Sequence, residues 1–260
     1  MATGAAVACH HYLMMNAAVA PWAHDGGTTG IVLCHGFTGS PASMRPWAEY
    51  MAAQGASVRL PLLPGHGTSW QDMATSTQHD WMGAIRAAHA ELAARCDRVF
   101  AFGLSMGGTL ALRLAEEVGD GVAGVVVVNP MVSRMPAGSA FAPLLHRLMP
   151  SLPSVGNDIS KQGVDEHCYT RVPVRCVGEL TQLARDVVRN IASVTQPVLI
   201  FTSTQDHLVD PRNSQWLAEH LTSDDVSSVI LENSFHVATL DNDADRIFEV
   251  TANFVRRLAG

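Results

Sequence analysis

Apolar positions along the chain fall into two alternating rhythms. Short continuous runs rich in β-branched residues recur at GIVLCHGF (30–37), ASVRLPLL (56–63), DRVFAFGLS (97–105), GVVVVNP (124–130), QPVLIFTSTQD (196–206) and VSSVILENS (226–234). Gly, Pro, Asn or Asp bounds each run, and runs of this kind suit strands covered on both faces. Between them the apolar residues recur at helical spacing: MRPWAEYMAAQG (44–55), HDWMGAIRAAHAELAAR (79–95), MGGTLALRLAEEV (106–118), SQWLAEHL (214–221) and DADRIFEVTANFVRRLA (243–259). Gly55 stands where a helix stop is expected. Strand–helix alternation predicts the α/β class, with a mostly parallel central sheet flanked by helices.

One segment breaks the rhythm. Residues 131–190 join the fourth run to the fifth and are far longer than an ordinary connection. They carry Pro136, Pro143, Pro150, Pro153 and Pro173 around the apolar piece FAPLLHRLMP (141–150). This pattern predicts a small helical cap inserted into one domain spanning 1–260, before the late strands. The Ala-rich start, residues 1–27, lacks a Lys/Arg-rich beginning, and His10 and His11 interrupt its apolar run. An edge strand or arm leading into the sheet is therefore expected there, not a secretory leader, with His10 and His11 as surface residues.

Composition narrows the field. The chain has 260 residues, 47% of them hydrophobic and 16% charged, enough apolar material for a full core. Lys+Arg number 17 against 24 Asp+Glu, a formal net charge of -7. That balance, with no basic run, argues against nucleic acid as a partner. No stretch is long and apolar enough for membrane insertion. Cys9, Cys34, Cys96, Cys168 and Cys176 are scattered and odd in number, which points to free thiols in a reducing, cytoplasmic setting. Twelve histidines are present, but neither an HExxH pattern nor clustered ligand spacing accompanies them, so no metal site and no cofactor are expected.

The candidate chemistry begins at Gly103-Leu104-Ser105-Met106-Gly107. A strand pattern precedes this GxSxG and a helical pattern follows it. In that context the Ser sits on a tight, strained turn whose flanking positions must be small. The helix that starts there favours negative charge developing beside the Ser. Acyl transfer also needs two preorganised N–H donors. Met106, next after the Ser, is one candidate. Phe37, in the loop His35-Gly36-Phe37-Thr38-Gly39, is the other. His35 itself is expected to brace that loop.

An acid and a base should follow the Ser in that order. Asp206 ends a late apolar run and is the favoured acid, with Asp210 as competitor. Asp210 precedes Pro211 and fits a helix start. His236 follows the last strand pattern and is the favoured base. His207 lies at a strand tip and His220 within a helical pattern. In this scheme His236 takes the Ser105 proton while Asp206 fixes its tautomer.

HGFTGSP (35–41), LPGHG (63–67), GLSMGG (103–108), STQDHLVDP (203–211) and SFHVATLDND (234–243) together resemble the small bacterial carboxylesterases and monoacylglycerol lipases of the α/β-hydrolase superfamily. The resemblance implies the α/β-hydrolase fold, Ser105, Asp206 and His236 as a catalytic triad, Phe37 and Met106 as oxyanion-hole donors, and a cap over an acyl pocket. It implies a serine carboxylic-ester hydrolase working through an acyl-enzyme on short- to medium-chain esters or monoacylglycerols. Met131, Met135, Phe141, Leu144, Leu145, Leu148 and Met149 are candidate lining, with Met131, Phe141, Leu145 and Met149 singled out for substrate contact. The rivals are a peptidase or amidase of the same fold and a non-catalytic small-molecule-binding homologue. A dehalogenase would need Asp where Ser105 stands.

Overall fold

The computed structural model describes residues 17–135 and 138–260. Cys9, His10, His11 and the rest of the arm's first 16 residues, and Pro136, lie outside this range.

A seven-stranded sheet forms the centre, in the order β1-β3-β2-β4-β5-β8-β9. Its strands are β1 (Trp22–His24), β2 (Thr29–Cys34), β3 (Ser57–Leu60), β4 (Arg98–Leu104), β5 (Gly124–Val128), β8 (Val198–Ser203) and β9 (Val226–Leu231). β1 pairs antiparallel with β3 and is the edge strand expected near the N-terminus. Every other neighbour pair in this sheet is parallel. The helices are α1 (Arg45–Ala53), α2 (Trp70–Met73), α3 (Gln78–Ala93), α4 (Met106–Val118), α5 (Ala142–Leu145), α6 (Val174–Asn190), α7 (Arg212–His220) and α8 (Ala244–Ala259). The α/β-hydrolase arrangement expected from the sequence is thus present.

Successive strand side chains point to opposite faces, so a run apolar at every position builds two cores. Ile31 and Leu33 of β2 pack with Phe102, Trp47 of α1 and Phe248 of α8 on one face. Val32 and Cys34 pack with Trp81 of α3 and Leu110 of α4 on the other. Trp47 lies parallel to the Phe102 ring with centroids 5.0 Å apart. α3 begins with a reciprocal cap: the Thr77 hydroxyl accepts from the Asp80 N–H, and the Asp80 carboxylate accepts from the Thr77 N–H.

The inserted segment differs from the small helical cap expected over 131–190. Its outer part holds a 3₁₀ turn at Ser139–Phe141, the short α5, and an antiparallel pair, β6 (Ser151–Pro153) with β7 (Arg171–Pro173). Its last part, α6, also belongs to the core of the sheet. Cys176, Leu180, Leu183 and Val187 of α6 enter the same core as Trp81 and Leu110. Their spacing, with Val174 and Ala184, is a helical stripe that the abundance of proline earlier in the segment obscures. Asn213 fastens the start of the insertion: its Oδ1 accepts from the N–H groups of Val132, Ser133 and Arg134 at 3.1, 2.8 and 2.9 Å.

Candidate active site

Ser105 follows β4 directly and opens α4. Its backbone stands at φ 56°, ψ -120°, a conformation that costs energy for a residue with a Cβ. The turn closes only because its neighbours lack side chains. A Cβ on Gly103 would lie 2.1 Å from the Gly107 carbonyl, and one on Gly107 would lie 1.9 Å from the Cys34 oxygen. The Ser105 N–H donates to the Val128 carbonyl at 2.9 Å, tying the turn to β5. The start of α4 beside Ser105 supplies the positive end of a helix dipole.

Asp206 and His236 come together from separate connections at the carboxyl edge of the sheet. His236 Nδ1 lies 2.7 Å from Asp206 Oδ2. The other carboxylate oxygen accepts from the N–H groups of Leu208 and Val209 at 2.8 and 2.7 Å. These bonds fix Asp206 with its Oδ2 facing Nδ1 of the imidazole. Both side chains are almost fully buried, at 1% and 7% exposure. Burial pushes an imidazole toward its neutral form. Here the hydrogen bond and charge of Asp206, with the charges of Glu166 and Asp158 behind it, outweigh burial and hold His236 above its usual pKa.

Asn129 braces this assembly from the tip of β5 in a left-handed conformation, φ 46°. Its Nδ2 donates to the His236 carbonyl at 2.8 Å and to Ser203 Oγ at 3.0 Å. Its Oδ1 accepts from the Ser203 N–H at 2.8 Å. The competitors are engaged elsewhere. Asp210 is paired with Arg212, through both its backbone N–H and its guanidinium, and this holds its carboxyl down at about 2. His220 stacks on Trp216 of its own helix, centroids 4.2 Å apart.

The loop 35–39 is braced as expected. His35 is buried, its Nε2 accepts from the Leu63 N–H at 3.2 Å, and its Nδ1 lies 3.0 Å from the Gly36 carbonyl oxygen. Burial, helped by the neighbouring His66, lowers its pKa to about 3, so this ring stays neutral and structural. Thr38 takes φ 61° to turn the loop. Among the described residues, neither the Phe37 nor the Met106 N–H has a protein acceptor.

Ser105 and His236 open into one cavity of about 320 Å³. Phe37, Met131, Met135, Leu152, Val155 and Leu180 supply much of its apolar wall. Of the residues singled out for substrate contact, Met131 is in this wall, but Phe141, Leu145 and Met149 are not. They stand 64%, 39% and 44% exposed and do not line the cavity, and the same holds for Leu144 and Leu148. The insertion reaches the cavity instead through its β6–β7 pair and α6, which present Leu152, Val172, Val177 and Leu180 inward. A polar member went unforeseen. Glu166 is buried in the cavity wall, and its Oε1 accepts from the Asn157 N–H at 2.5 Å. Nothing in local spacing distinguishes it from the neighbouring Asp165, which is exposed.

An α/β-hydrolase sheet with a serine at its strand-to-helix elbow defines the class of protein. The family model described as "Serine aminopeptidase, S33" matches residues 28–243, and the chain belongs to that family. It is 39% identical over 240 residues to the thermostable monoacylglycerol lipase of Bacillus sp. (strain H-257), covering 92% of this chain and 95% of the relative. It is 24% identical over 248 residues to a carboxylesterase of Bacillus subtilis (strain 168), across 92% of this chain and 96% of that one. A solved structure reported with LipS and LipT, two metagenome-derived lipolytic enzymes, superposes with a TM-score of 0.90 at 37% identity, over 92% of this chain and 98% of the other.

Proposed function

We propose that this chain is a serine carboxylic-ester hydrolase working through an acyl-enzyme, with short- to medium-chain esters or monoacylglycerols as substrates. The observation that carries the proposal is Ser105 on its strained elbow, opening with His236 into an apolar-walled cavity while Asp206 holds the imidazole. His236 takes the hydroxyl proton as Ser105 Oγ attacks the ester carbonyl. The N–H groups of Phe37 and Met106 receive the oxyanion. His236 returns the proton to the departing alcohol, and water, activated by the same imidazole, then releases the acid. Asp206 keeps the tautomer and stabilises the imidazolium. The apolar wall suits an acyl chain. The Glu166 carboxylate offers an acceptor for a hydroxyl-bearing alcohol such as glycerol, and the similarity to a monoacylglycerol lipase supports that substrate class.

Hydrolysis of nitrophenyl esters from acetyl to palmitoyl, and of matching monoacylglycerols, tests the reading. We expect turnover peaking at medium chains, and covalent labelling by a fluorophosphonate that Ser105→Ala abolishes. An unlabelled wild-type protein overturns it, and activity on acetyl esters alone overturns its medium-chain and monoacylglycerol part. One observation favours a second reading: the Glu166 carboxylate could equally hold a free α-amino group, in keeping with the family's aminopeptidase description. Release of nitroaniline from aminoacyl nitroanilides faster than nitrophenol from esters would select that reading.

The setting we propose is cytoplasmic. Cys34, Cys96, Cys168 and Cys176 are free thiols, which suits a reducing compartment. Among the described residues no helix is long and apolar enough to cross a membrane.

A further inference from the structure

The stretch 157–169 of the insertion runs along one side of the catalytic centre and is anchored at both ends. At its start the Asp158 carbonyl accepts from the Val237 N–H at 3.1 Å. The Asp158 side chain accepts from the His236 N–H at 3.1 Å, from the His207 N–H at 3.2 Å, and lies 2.8 Å from His207 Nδ1. Just beyond, the N–H groups of Ser160 and Lys161 donate to Asp241 at 2.7 and 2.9 Å, and the same carboxylate accepts from the Phe235 N–H at 2.9 Å. At its far end the Tyr169 N–H donates to the Thr38 carbonyl at 3.1 Å, and the Tyr169 hydroxyl donates to the Gly65 carbonyl at 2.8 Å. Asn157 and His167 turn the chain at φ 61° and 55°. Between them, Asn157 and Glu166 bond reciprocally, the Glu166 N–H donating to Asn157 Oδ1 at 2.9 Å.

The loop bearing His236 thus rests on two carboxylates. Asp241 belongs to that loop, whereas Asp158 is supplied by the insertion, 78 residues earlier in the chain. Asp158 is 12% exposed and its partner His207 58% exposed. Asp206 orients the imidazole through Nδ1, but a ring is only as well placed as its own Cα. The Asn129 side chain holds the His236 carbonyl and Asp158 holds its N–H, so the residue is gripped from opposite sides of its backbone.

We propose that Asp158 is a positioning residue for the reaction, fixing the backbone of His236 and setting the charge behind its imidazole, so that the insertion completes the base as well as walling the cavity. This rests on the ester-hydrolase reading given above. The groups facing His236 are Asp206 from the turn after β8, Asp158 and Glu166 from the insertion, His207 beside the acid, and Asp241 from its own loop. Removing a carboxylate from this set weakens the imidazolium and lowers the pH at which His236 charges.

The test is the pH profile of kcat/KM on a nitrophenyl ester for wild type, Asp158→Ala and Asp158→Asn, with fluorophosphonate labelling rates over the same pH range. Asp158→Ala is expected to lower kcat by about tenfold to a hundredfold with KM little changed, the effect of a displaced base. The acidic limb should move to lower pH in both variants. Asp158→Asn keeps an acceptor for the His236 N–H and should recover most of kcat while retaining the shifted limb. If Asp158→Ala does not fold, the limb of Asp158→Asn decides alone. A limb that superposes on wild type in Asp158→Asn, or a kcat within about twofold of wild type in folded Asp158→Ala, overturns the proposal, because a purely structural aspartate would change melting temperature and nothing else. Wild-type labelling at Ser105 separates the two failures: without it the ester-hydrolase reading falls, and with it only the role of Asp158 does.

Discussion

His236 shows the balance that a buried base must strike. An isolated imidazole at this depth would stay neutral down to acid pH. Asp206 at 2.7 Å reverses that and raises its pKa. The base works only when neutral, so kcat/KM should fall as pH drops through a value above the usual imidazole pKa of about 6.5. Asp206→Asn should move that limb down and cut kcat by roughly 10³ to 10⁴. A pH–rate series on both proteins checks the sign. Glu116 strikes the opposite balance away from the site. Its carboxylate is buried, one oxygen lacks a partner, and burial raises its pKa to about 7 despite Arg113 at 2.9 Å. Folding therefore favours its protonated form. Its contribution is most favourable below the unfolded value near 4.5 and is lost as pH rises toward 7. Glu116→Gln should be stabilising on the order of 2 kcal/mol at pH 8 and close to neutral at pH 4, read from denaturant midpoints.

The elbow between β4 and α4 is where an element's geometry is set by what is missing. Gly107→Ala would drive a methyl into the Cys34 carbonyl of β2, which is backbone in the middle of the sheet and cannot yield. A loss of about 3 kcal/mol or more is expected, read as a fall in melting temperature or as insoluble expression. α4 was legible to the residue, because its strand–GxSxG–helix context has few alternatives. α6 was not, although its apolar stripe is strong. Five prolines between 131 and 190 drew the whole insertion into one small helical cap. Yet Pro173 stands just before α6, where a fixed φ suits a helix start.

At the scale of the molecule the insertion has two unlike faces. Its β6–β7 pair and α6 close the cavity, while Leu144 and Leu148 stand 76% and 87% exposed and do not line it. Bulk added to the inner face should shorten the preferred acyl chain. Val177→Trp is expected to lower activity on medium-chain nitrophenyl esters by tenfold or more, taking about 1 to 3 kcal/mol from their transition-state binding while sparing acetyl esters. Leu148→Ser should leave the chain-length profile unchanged and alter stability by no more than about 0.5 kcal/mol. A parallel substrate panel on the two variants separates the faces.

The amino-acid sequence by itself determined the strand–helix order, the elbow around Ser105, and the candidates Asp206 and His236, because each depends on a local rule: period, turn sterics, or position at the end of an apolar run. That Asp206 and not Asp210 faces His236 follows from the same rule, since the strand's end sets which carboxylate turns back toward the sheet edge. Tertiary structure alone decided which apolar residues of the insertion face the cavity. Phe141, Leu145 and Met149 are as hydrophobic as Leu152, Val172 and Val177, and only the packing of β6, β7 and α6 turns one set inward. It alone also set Glu166 in the wall and Asp158 against His236, because contacts across 70 residues or more of chain leave no period or motif in the sequence.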